Sequence, residues 1–330
     1  MISAAESATH GLPLSIVPSG ELSRGISVIV PVYNGSETLG ELISRVESVM
    51  NAAALPFEII FVNDGSSDYS WAVLQHLVEE RAFVRAVDLM RNYGQHNAIL
   101  CGLRLARYDL AVTMDDDLQN PPEEIPKLLA ELDAGFDVVY GVPSTRQHGF
   151  GRNLASEITK VTLSGAMGAS AARNASAFRA LRTRLRDGFA SYQGPWVFLD
   201  ALLTWSTNRF GSVRVEHQAR KGGRSGYSLR KLLKHGINMM TGFSALPLQV
   251  ASLIGFTFTL FGFAMLVYVV TRYFLNGHNV PGFAFLASMI AIFSGAQMFA
   301  IGIIGEYLAR MHFRTMGQPA ATIREIVERG

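Results

Sequence analysis

The chain of 330 residues has a single cysteine, Cys101, which excludes an intramolecular disulfide and any cysteine-rich zinc cluster. Cys101 lies in the apolar stretch HNAILCGLRLA, where a thiol is expected to serve as a small core side chain. There is no G-x-x-x-x-G-K-[ST] loop, and no G-x-G-x-x-G follows the first strand-like run. ATPase and dinucleotide-binding readings therefore lack their phosphate cradle. A formal net charge of +2 gives no overall basic field, so nucleic acid is not expected as a partner. Residues 1–24 lack a basic segment leading into a long apolar run, and are expected to form a loose tail rather than a secretory signal.

Toward the other end the missing feature is charge. No charged side chain occurs from Gly236 to Thr271, and no Lys, Arg, Asp or Glu from Tyr273 to Gly305. A helix crossing the hydrocarbon core needs ~20 mostly apolar residues, so each run supplies one span, over 247–270 and 283–304. Two uncharged runs of that length are hard to bury as core helices in so small a protein. Arg220, Lys221, Arg224, Arg230, Lys231 and Lys234 precede the first span, Arg310 and Arg314 follow the second, and the connecting loop offers only Arg272. By the positive-inside rule both flanks are cytoplasmic. The bridge SLRKLLKHGINMMTGF sets basic residues against Leu232, Leu233, Ile237 and Met240 at helical spacing, as in a helix lying in the membrane interface or one packed on the soluble core. The expected organisation is a tail over 1–24, a cytoplasmic α/β domain over 25–227, an amphipathic helix over 228–245, two membrane helices within 246–306, and a cytoplasmic tail over 307–330.

What is present in the first half is an alternation of strand and helix patterns. GISVIVPVYNG is a β-branched apolar run that breaks at Pro31 and Asn34, and SETLGELISRVESVMNAA follows with a 3.6 period and a Ser36 cap. FEIIFVNDGSSD, VRAVDLM, DLAVTMD and FDVVYG read as further strands, with helices over SWAVLQHLVEERA, HNAILCGLRLA and PPEEIPKLLAELDAG. That order predicts an α/β fold with a largely parallel sheet, whose ligands bind at the carboxyl ends of the strands. The turns VYNG, VNDGSSD and MDDDLQNP all fall at such ends and are expected to converge on one crevice.

Three adjacent acids, Asp115, Asp116 and Asp117, repel one another unless something offsets their charge. Hard divalent cations take oxygen ligands, and Mg²⁺ in particular uses one or two carboxylates with substrate phosphates. In an extended segment alternate side chains share a face, so Asp115, Asp117 and Gln119 are expected to project together, with Asp116 elsewhere. Helix capping by Asp117 or Asn120 accounts for one acid and leaves the others unexplained.

The stretches PVYN, VNDGSSD, RNYGQHNAILCGL and MDDDLQNPPE, followed by VEHQARKGGRSGYSLRKLL, TGFSALPLQ and SGAQMFAIGIIGEYLAR, resemble the family 2 inverting glycosyltransferases of GT-A fold. They are most similar to the bacterial membrane-anchored branch that loads sugars onto polyprenyl phosphates, and less so to bactoprenol glucosyltransferases and dolichol-phosphate mannose synthases. The resemblance runs from about Ile26 to Arg324. It implies a Rossmann-like nucleotide-sugar-binding domain with a two-helix transmembrane hairpin, placed in the bacterial inner membrane with the catalytic domain cytoplasmic. It further implies a UDP-sugar donor, undecaprenyl phosphate as acceptor, the bilayer as partner, Mg²⁺ or Mn²⁺ as cofactor and a homo-oligomer, tetrameric in the family. By the same resemblance Pro31, Tyr33, Asn34, Glu37, Val62, Asn63, Asp64, Asp115 and Asp116 contact the nucleotide. Asp115, Asp117 and Gln119 hold the metal. Arg220, Ser225 and Tyr227, in an R-x-x-G-x-S-x-Y pattern, close over the phosphates, while Arg146, Arg152 and Ser156 receive the acceptor phosphate. Asp117 and Arg220 are the expected catalytic pair.

Two positions depart from the family pattern. Gly35 follows PVYN where relatives usually carry Glu, leaving Glu37 as a candidate for that role. Pro143 stands where relatives often have Arg, leaving Arg146 as the substitute. The implied chemistry is in-line displacement at the anomeric carbon by a phosphate oxygen. A phosphate monoester has a second pKa of about 6, so no strong general base is required. Two other readings are a processive polysaccharide synthase, whose Q-x-x-R-W motif is absent, and a catalytically silent membrane adaptor. GPWVFLDALLTWSTNRFG could line a sugar site, a lipid entry or a core.

Overall fold

The computed structural model describes residues 22–144, 174–194, 196–218, 246–276 and 282–329. The chain forms two compact units: residues up to Leu232 joined by Gly317–Gly330, and Leu233–Met316.

The first unit is built on an eight-stranded sheet. Its strands are β1 (Ser23–Val32), β2 (Phe57–Asn63), β3 (Val84–Leu89), β4 (Tyr108–Thr113), β5 (Val138–Pro143), β6 (Arg179–Arg182), β7 (Phe210–Val215) and β8 (Ile323–Glu328), in the spatial order β7-β5-β6-β4-β1-β2-β3-β8. β1 pairs in parallel with β2 and β4, β2 with β3, and β5 with β7. β6 runs antiparallel between β4 and β5, and β8 antiparallel along β3. The expected largely parallel α/β sheet is thus a mixed, GT-A-like one. β1 and β2 are near-continuous apolar runs because helices cover both faces, as parallel strands require. Alternate residues of β2 enter opposite cores. Ile59 and Phe61 join the Leu42, Ile43 and Val46 side of α1 (Leu39–Ala53), while Ile60 and Val62 join Ala98 and Cys101 of α3 (Gln95–Leu105). The Cys101 thiol is fully buried, and burial pushes its pKa up to about 12, so it is an inert core group as expected. Among the described residues this unit also has the α-helices α2 (Ser70–Glu80), α4 (Ile125–Asp133) and the short α5 (Leu199–Leu203).

Three expectations are corrected. α1 begins after Thr38, which makes no side-chain cap, rather than after Ser36, whose N–H is taken by Asp68 Oδ2 at 3.3 Å. β1 begins at Ser23, inside the stretch expected to be loose. Residues after Gly317 are not a free tail: β8 extends the sheet, with Val87 opposite Ile326 and Asp88 opposite Glu325.

The second unit contains α6 (Leu246–Asn276) and α7 (Phe283–Thr315). Both are long and apolar enough to cross a membrane, over Leu248–Arg272 and Ile292–Ala309, and no residue of either stretch's most apolar window is buried. Core helices of a soluble protein would bury such a surface. Here Phe256, Phe263 and Met298 are each about two-thirds exposed, on helices apolar all round. Between the two, Phe258 packs edge-on against Phe293 with centroids 5.7 Å apart. The second apolar stretch runs further along the chain than 283–304 and takes in Glu306. The amphipathic helix expected over 228–245 lies outside the described residues.

Candidate active site

Parallel register sets Val32 of β1 beside Asn63 of β2, so the turns leaving both strands start level. They are then fastened side chain to backbone. Ser66 Oγ accepts the Asn34 N–H at 3.0 Å, Ser70 Oγ accepts the Gly35 N–H at 3.0 Å, and Asn34 Oδ1 accepts the Ser67 N–H at 2.8 Å. Asn34 can do this because it adopts a left-handed backbone, φ 55°, which Asn tolerates better than most residues. Ser70 in turn donates to Asp68 Oδ1 at 2.6 Å. Burial works against the Asp68 carboxylate, but its bonds from Ser70 and Ser36 outweigh that and hold it below the ordinary Asp value. Above this frame Tyr33 is 55% exposed, and Glu37 is exposed too.

A third turn braces the second. Asp64 Oδ1 and Oδ2 accept the N–H groups of Tyr93 and Gly94 at 2.7 and 2.8 Å. Burial nonetheless pushes the Asp64 carboxyl above its ordinary value, against those bonds and the Arg91 charge. Asn63 donates to Asp88 Oδ1 at 2.7 Å. Gly65, at φ +67°, approaches so closely that a Cβ would stand 2.6 Å from the Asn92 nitrogen. Pro31, Val62, Asn63 and Asp64 are therefore buried parts of the frame. Of the residues expected to meet a nucleotide on β1 and β2, Tyr33, Asn34 and Glu37 present exposed side chains.

The acidic turn differs from the extended segment expected. β4 stops at Thr113, residues 116 and 117 form a turn, and Leu118 adopts φ 59°. Alternation of faces ends there, and the three acids fan out. Asp115 Oδ1 accepts Gln95 Nε2 from the first turn of α3 at 2.5 Å. Asp116 reaches the β1 turn, where a Cβ on Gly35 would lie 2.2 Å from its Oδ2. Asp117 Oδ1 accepts the Gln119 N–H at 3.1 Å within its own turn. The carbonyl of Gln119 accepts the N–H of Gln218 at 2.8 Å, and His217 Nδ1 lies 3.4 Å from Asn120 Oδ1. The chain just before Arg220 is thus tied to the acidic turn. Sequence reasoning missed Gln95, the serines of the second turn, and the pairing of Gly35 with Asp116. Gln95 lies inside the stretch RNYGQHNAILCGL, and Ser66 and Ser67 inside VNDGSSD, so the signal was present there without the partners.

Arg146, Arg152, Ser156, Arg220, Ser225 and Tyr227 lie outside the described residues. The GPWVFLDALLTWSTNRFG segment is core over 197–203, where Asp200 is buried against Arg179 and accepts the Tyr140 hydroxyl at 2.7 Å. Among the described residues no group of three or more His, Cys, Asp or Glu is placed to enclose a metal. Asp115, Asp117 and Gln119 are a partial set of hard oxygen donors. That chemistry fits a cation whose remaining ligands come from water and a bound diphosphate, rather than a resident structural ion.

The mixed sheet with polar turns gathered at the ends of β1, β2 and β4 defines a GT-A-type glycosyltransferase domain. Residues 27–192 match Glycosyl transferase family 2, and the chain belongs to that family. It is similar to the undecaprenyl-phosphate 4-deoxy-4-formamido-L-arabinose transferase of Enterobacter sp. (strain 638), 35% identical over 313 residues that cover 94% of this chain and 96% of the relative. The protein of that name from Pseudomonas savastanoi pv. phaseolicola is also 35% identical, over 306 residues covering 92% and 90%. Among solved structures, glucosyl-3-phosphoglycerate synthase from Mycobacterium tuberculosis, in complex with Mn²⁺, UDP and glucosyl-3-phosphoglycerate, aligns with a TM-score of 0.51 at 18% identity, over 66% of this chain and 78% of that one. At that identity the likeness bears on the fold.

Proposed function

We propose that this chain moves a sugar from a UDP-linked donor to undecaprenyl phosphate with inversion at the anomeric carbon. The lipid-linked product would serve cell-envelope glycan assembly or lipid A modification. The observation that carries this reading is the fan of Asp115, Asp116 and Asp117 set against the fastened β1 and β2 turns. Relatives named for undecaprenyl-phosphate 4-deoxy-4-formamido-L-arabinose transfer, alike over 94% and 92% of the chain, support the acceptor.

In this reading Tyr33, Asn34 and Glu37 meet the base and ribose over the buried frame of Pro31, Val62, Asn63 and Asp64. Asp115 and Asp117, with Gln119, hold Mg²⁺ or Mn²⁺, and Gln95 orients Asp115. When bound, that ion supplies charge neutralisation for the departing nucleoside diphosphate. A phosphate oxygen of the acceptor forms the bond to the anomeric carbon as the bond from that carbon to the diphosphate breaks, and the electron pair leaves with UDP. Arg220 adds positive charge at the leaving group, with Ser225 and Tyr227 beside it, while Arg146, Arg152 and Ser156 receive the acceptor phosphate. α6 and α7 span the bacterial inner membrane, with the catalytic unit cytoplasmic, as the Lys and Arg distribution supports. A homotetramer is part of the proposal on family resemblance.

The test incubates detergent-purified protein with undecaprenyl phosphate and a panel of UDP sugars, following lipid product by mass. One UDP sugar is expected to give a metal-dependent product that chelator abolishes and Mg²⁺ or Mn²⁺ restores. Absence of product from every sugar, together with absence of UDP binding, would sink the reading.

A further inference from the structure

β8 follows α7 in the chain after only Met316–Thr322, yet it is hydrogen-bonded to β3 at the far edge of the sheet. Its Arg324 does more than extend that edge. Arg324 Nη1 donates to Asp88 Oδ2 at 2.9 Å and Nη2 to the Met90 carbonyl at 3.0 Å. The other oxygen of Asp88 accepts Asn63 Nδ2 at 2.7 Å, and Asn63 Oδ1 accepts the Ser66 N–H at 3.3 Å. Ser66 Oγ then holds the Asn34 N–H at 3.0 Å. One run of polar contacts therefore connects a strand beyond the apolar helices to both turns of the donor crevice.

The geometry points to Arg324 as a positioning residue for the nucleotide donor. It acts through Asp88 and Asn63 on the backbone of Ser66 and Asn34, so that donor affinity depends on the segment following the apolar helices. Asp88 is 2% exposed and Asn63 3%. Without Arg324 the Asp88 carboxylate would be a buried charge stripped of its cation, an arrangement that forces neighbours to move. Asn63 is the neighbour sharing that carboxylate, and its amide can turn only by releasing the Ser66 N–H. Two further ties fix β8 at this end: Ala320 O accepts Asn97 Nδ2 at 2.5 Å and Thr322 O accepts the Met90 N–H at 3.0 Å. At the opposite end of the strand Glu328 lies 2.7 Å from Arg85 and 2.7 Å from Arg107, remote from either donor turn. Glu328 thus provides an internal control on the same strand.

The inference rests on the donor reading above, and the test separates the two. Full-length protein in detergent is compared as wild type, Arg324→Ala, Arg324→Lys and Glu328→Gln, using UDP with Mn²⁺ for binding, donor and acceptor kinetics, and amide exchange across 63–67. Arg324→Ala is expected to raise the UDP Kd and donor KM about tenfold, with kcat at saturating donor and the acceptor KM nearly unchanged. Arg324→Lys should recover part of that loss. Exchange at the Ser66 and Ser67 amides should rise in Arg324→Ala and stay at the wild-type level in Glu328→Gln. Unchanged exchange and donor KM in Arg324→Ala would overturn the proposal, as would an equal donor effect from Glu328→Gln. If wild type binds no UDP while exchange still responds to Arg324 alone, the donor reading fails and the coupling stands. If Arg324→Ala does not fold, Arg324→Lys against Glu328→Gln decides by the same measures.

Discussion

The serine-rich turns after β1 and β2 and the acidic turn after β4 use polar side chains in opposite ways. In the first pair, Ser66, Ser70, Asp68 and Asn34 spend their oxygens on backbone N–H groups, so shape is fixed locally. In the acidic turn, Asp115 accepts from Gln95 of α3 and Asp116 stands against Gly35 of the β1 turn, while Asp117 closes on its own turn. A crevice made this way has one rigid wall that sets where a ligand lies and one charged wall whose geometry depends on its neighbours. Substitutions on the charged wall should therefore act on turnover, and those on the rigid wall on stability and donor affinity.

The largest effect is expected at the charged wall. Asp117→Asn should lower kcat roughly 100-fold or more, since a neutral amide is a poorer ligand for a hard cation and the neutralisation it supports is worth several kcal/mol. Asp116→Asn should lose clearly less, because an isosteric amide still fills the space beside Gly35. Equal losses in lipid-product kinetics would erase the distinction between the acids. At the rigid wall Gly65→Ala meets both a left-handed φ of +67° and the Asn92 nitrogen 2.6 Å away. It should destabilise by about 1–3 kcal/mol in thermal or denaturant unfolding. Gly40, in α1 with open space where a Cβ would go, is the control. Gly40→Ala should be neutral or stabilising by about 0.5–1 kcal/mol.

How much of this was legible in the sequence follows from the range of each interaction. The β1–β4 strands and their helices announce themselves because each carries its own signal within a dozen residues, a short β-branched apolar run or a 3.6 period. The three polar turns could be assigned to one crevice because an α/β sheet places strand ends together. The serine fastening was not legible, since Asn34 and Ser67 are 33 residues apart and either alone reads as a solvent-exposed turn residue. The fan of acids was hidden by Leu118, a residue that rarely takes φ 59° and gives no turn signal. β8 was missed for a related reason. IREIVE alternates weakly, as an edge strand does, and its partner β3 lies more than 200 residues earlier, with Arg324 bonded to Asp88 across 236 positions.

A smaller effect tests the rigid wall one bond at a time. Ser70→Ala removes the acceptor for the Gly35 N–H and the donor to Asp68, and should cost about 1 kcal/mol in stability. Because the loosened turn is the one expected to seat the nucleotide, donor KM should rise while kcat holds. A fall in kcat with unchanged KM would place Ser70 with the charged wall instead.

The smallest expected effect is a pH dependence in which two acids of one turn oppose each other. Asp68 is held below its ordinary value of 3.8, so its contribution to stability is complete above that value and is lost as pH falls through the lower folded value. Asp64 is pushed the other way by burial. Its ionised form is the costly one in the folded state, and acidification through its raised value relieves that cost. On lowering the pH, stability should therefore first gain slightly from Asp64 and then fall below pH 3.8 as Asp68 takes up its proton. Melting midpoints of the detergent-purified protein across this range should show the fall in wild type and a shallower one in Asp68→Asn, which cannot titrate. The N–H of Ser36 and both groups of Ser70 are the bonds at stake, so amide exchange at Ser36 and Ser70 should quicken over the same interval. An acid limb as steep in Asp68→Asn as in wild type would mean that the rigid wall is held by its serines alone.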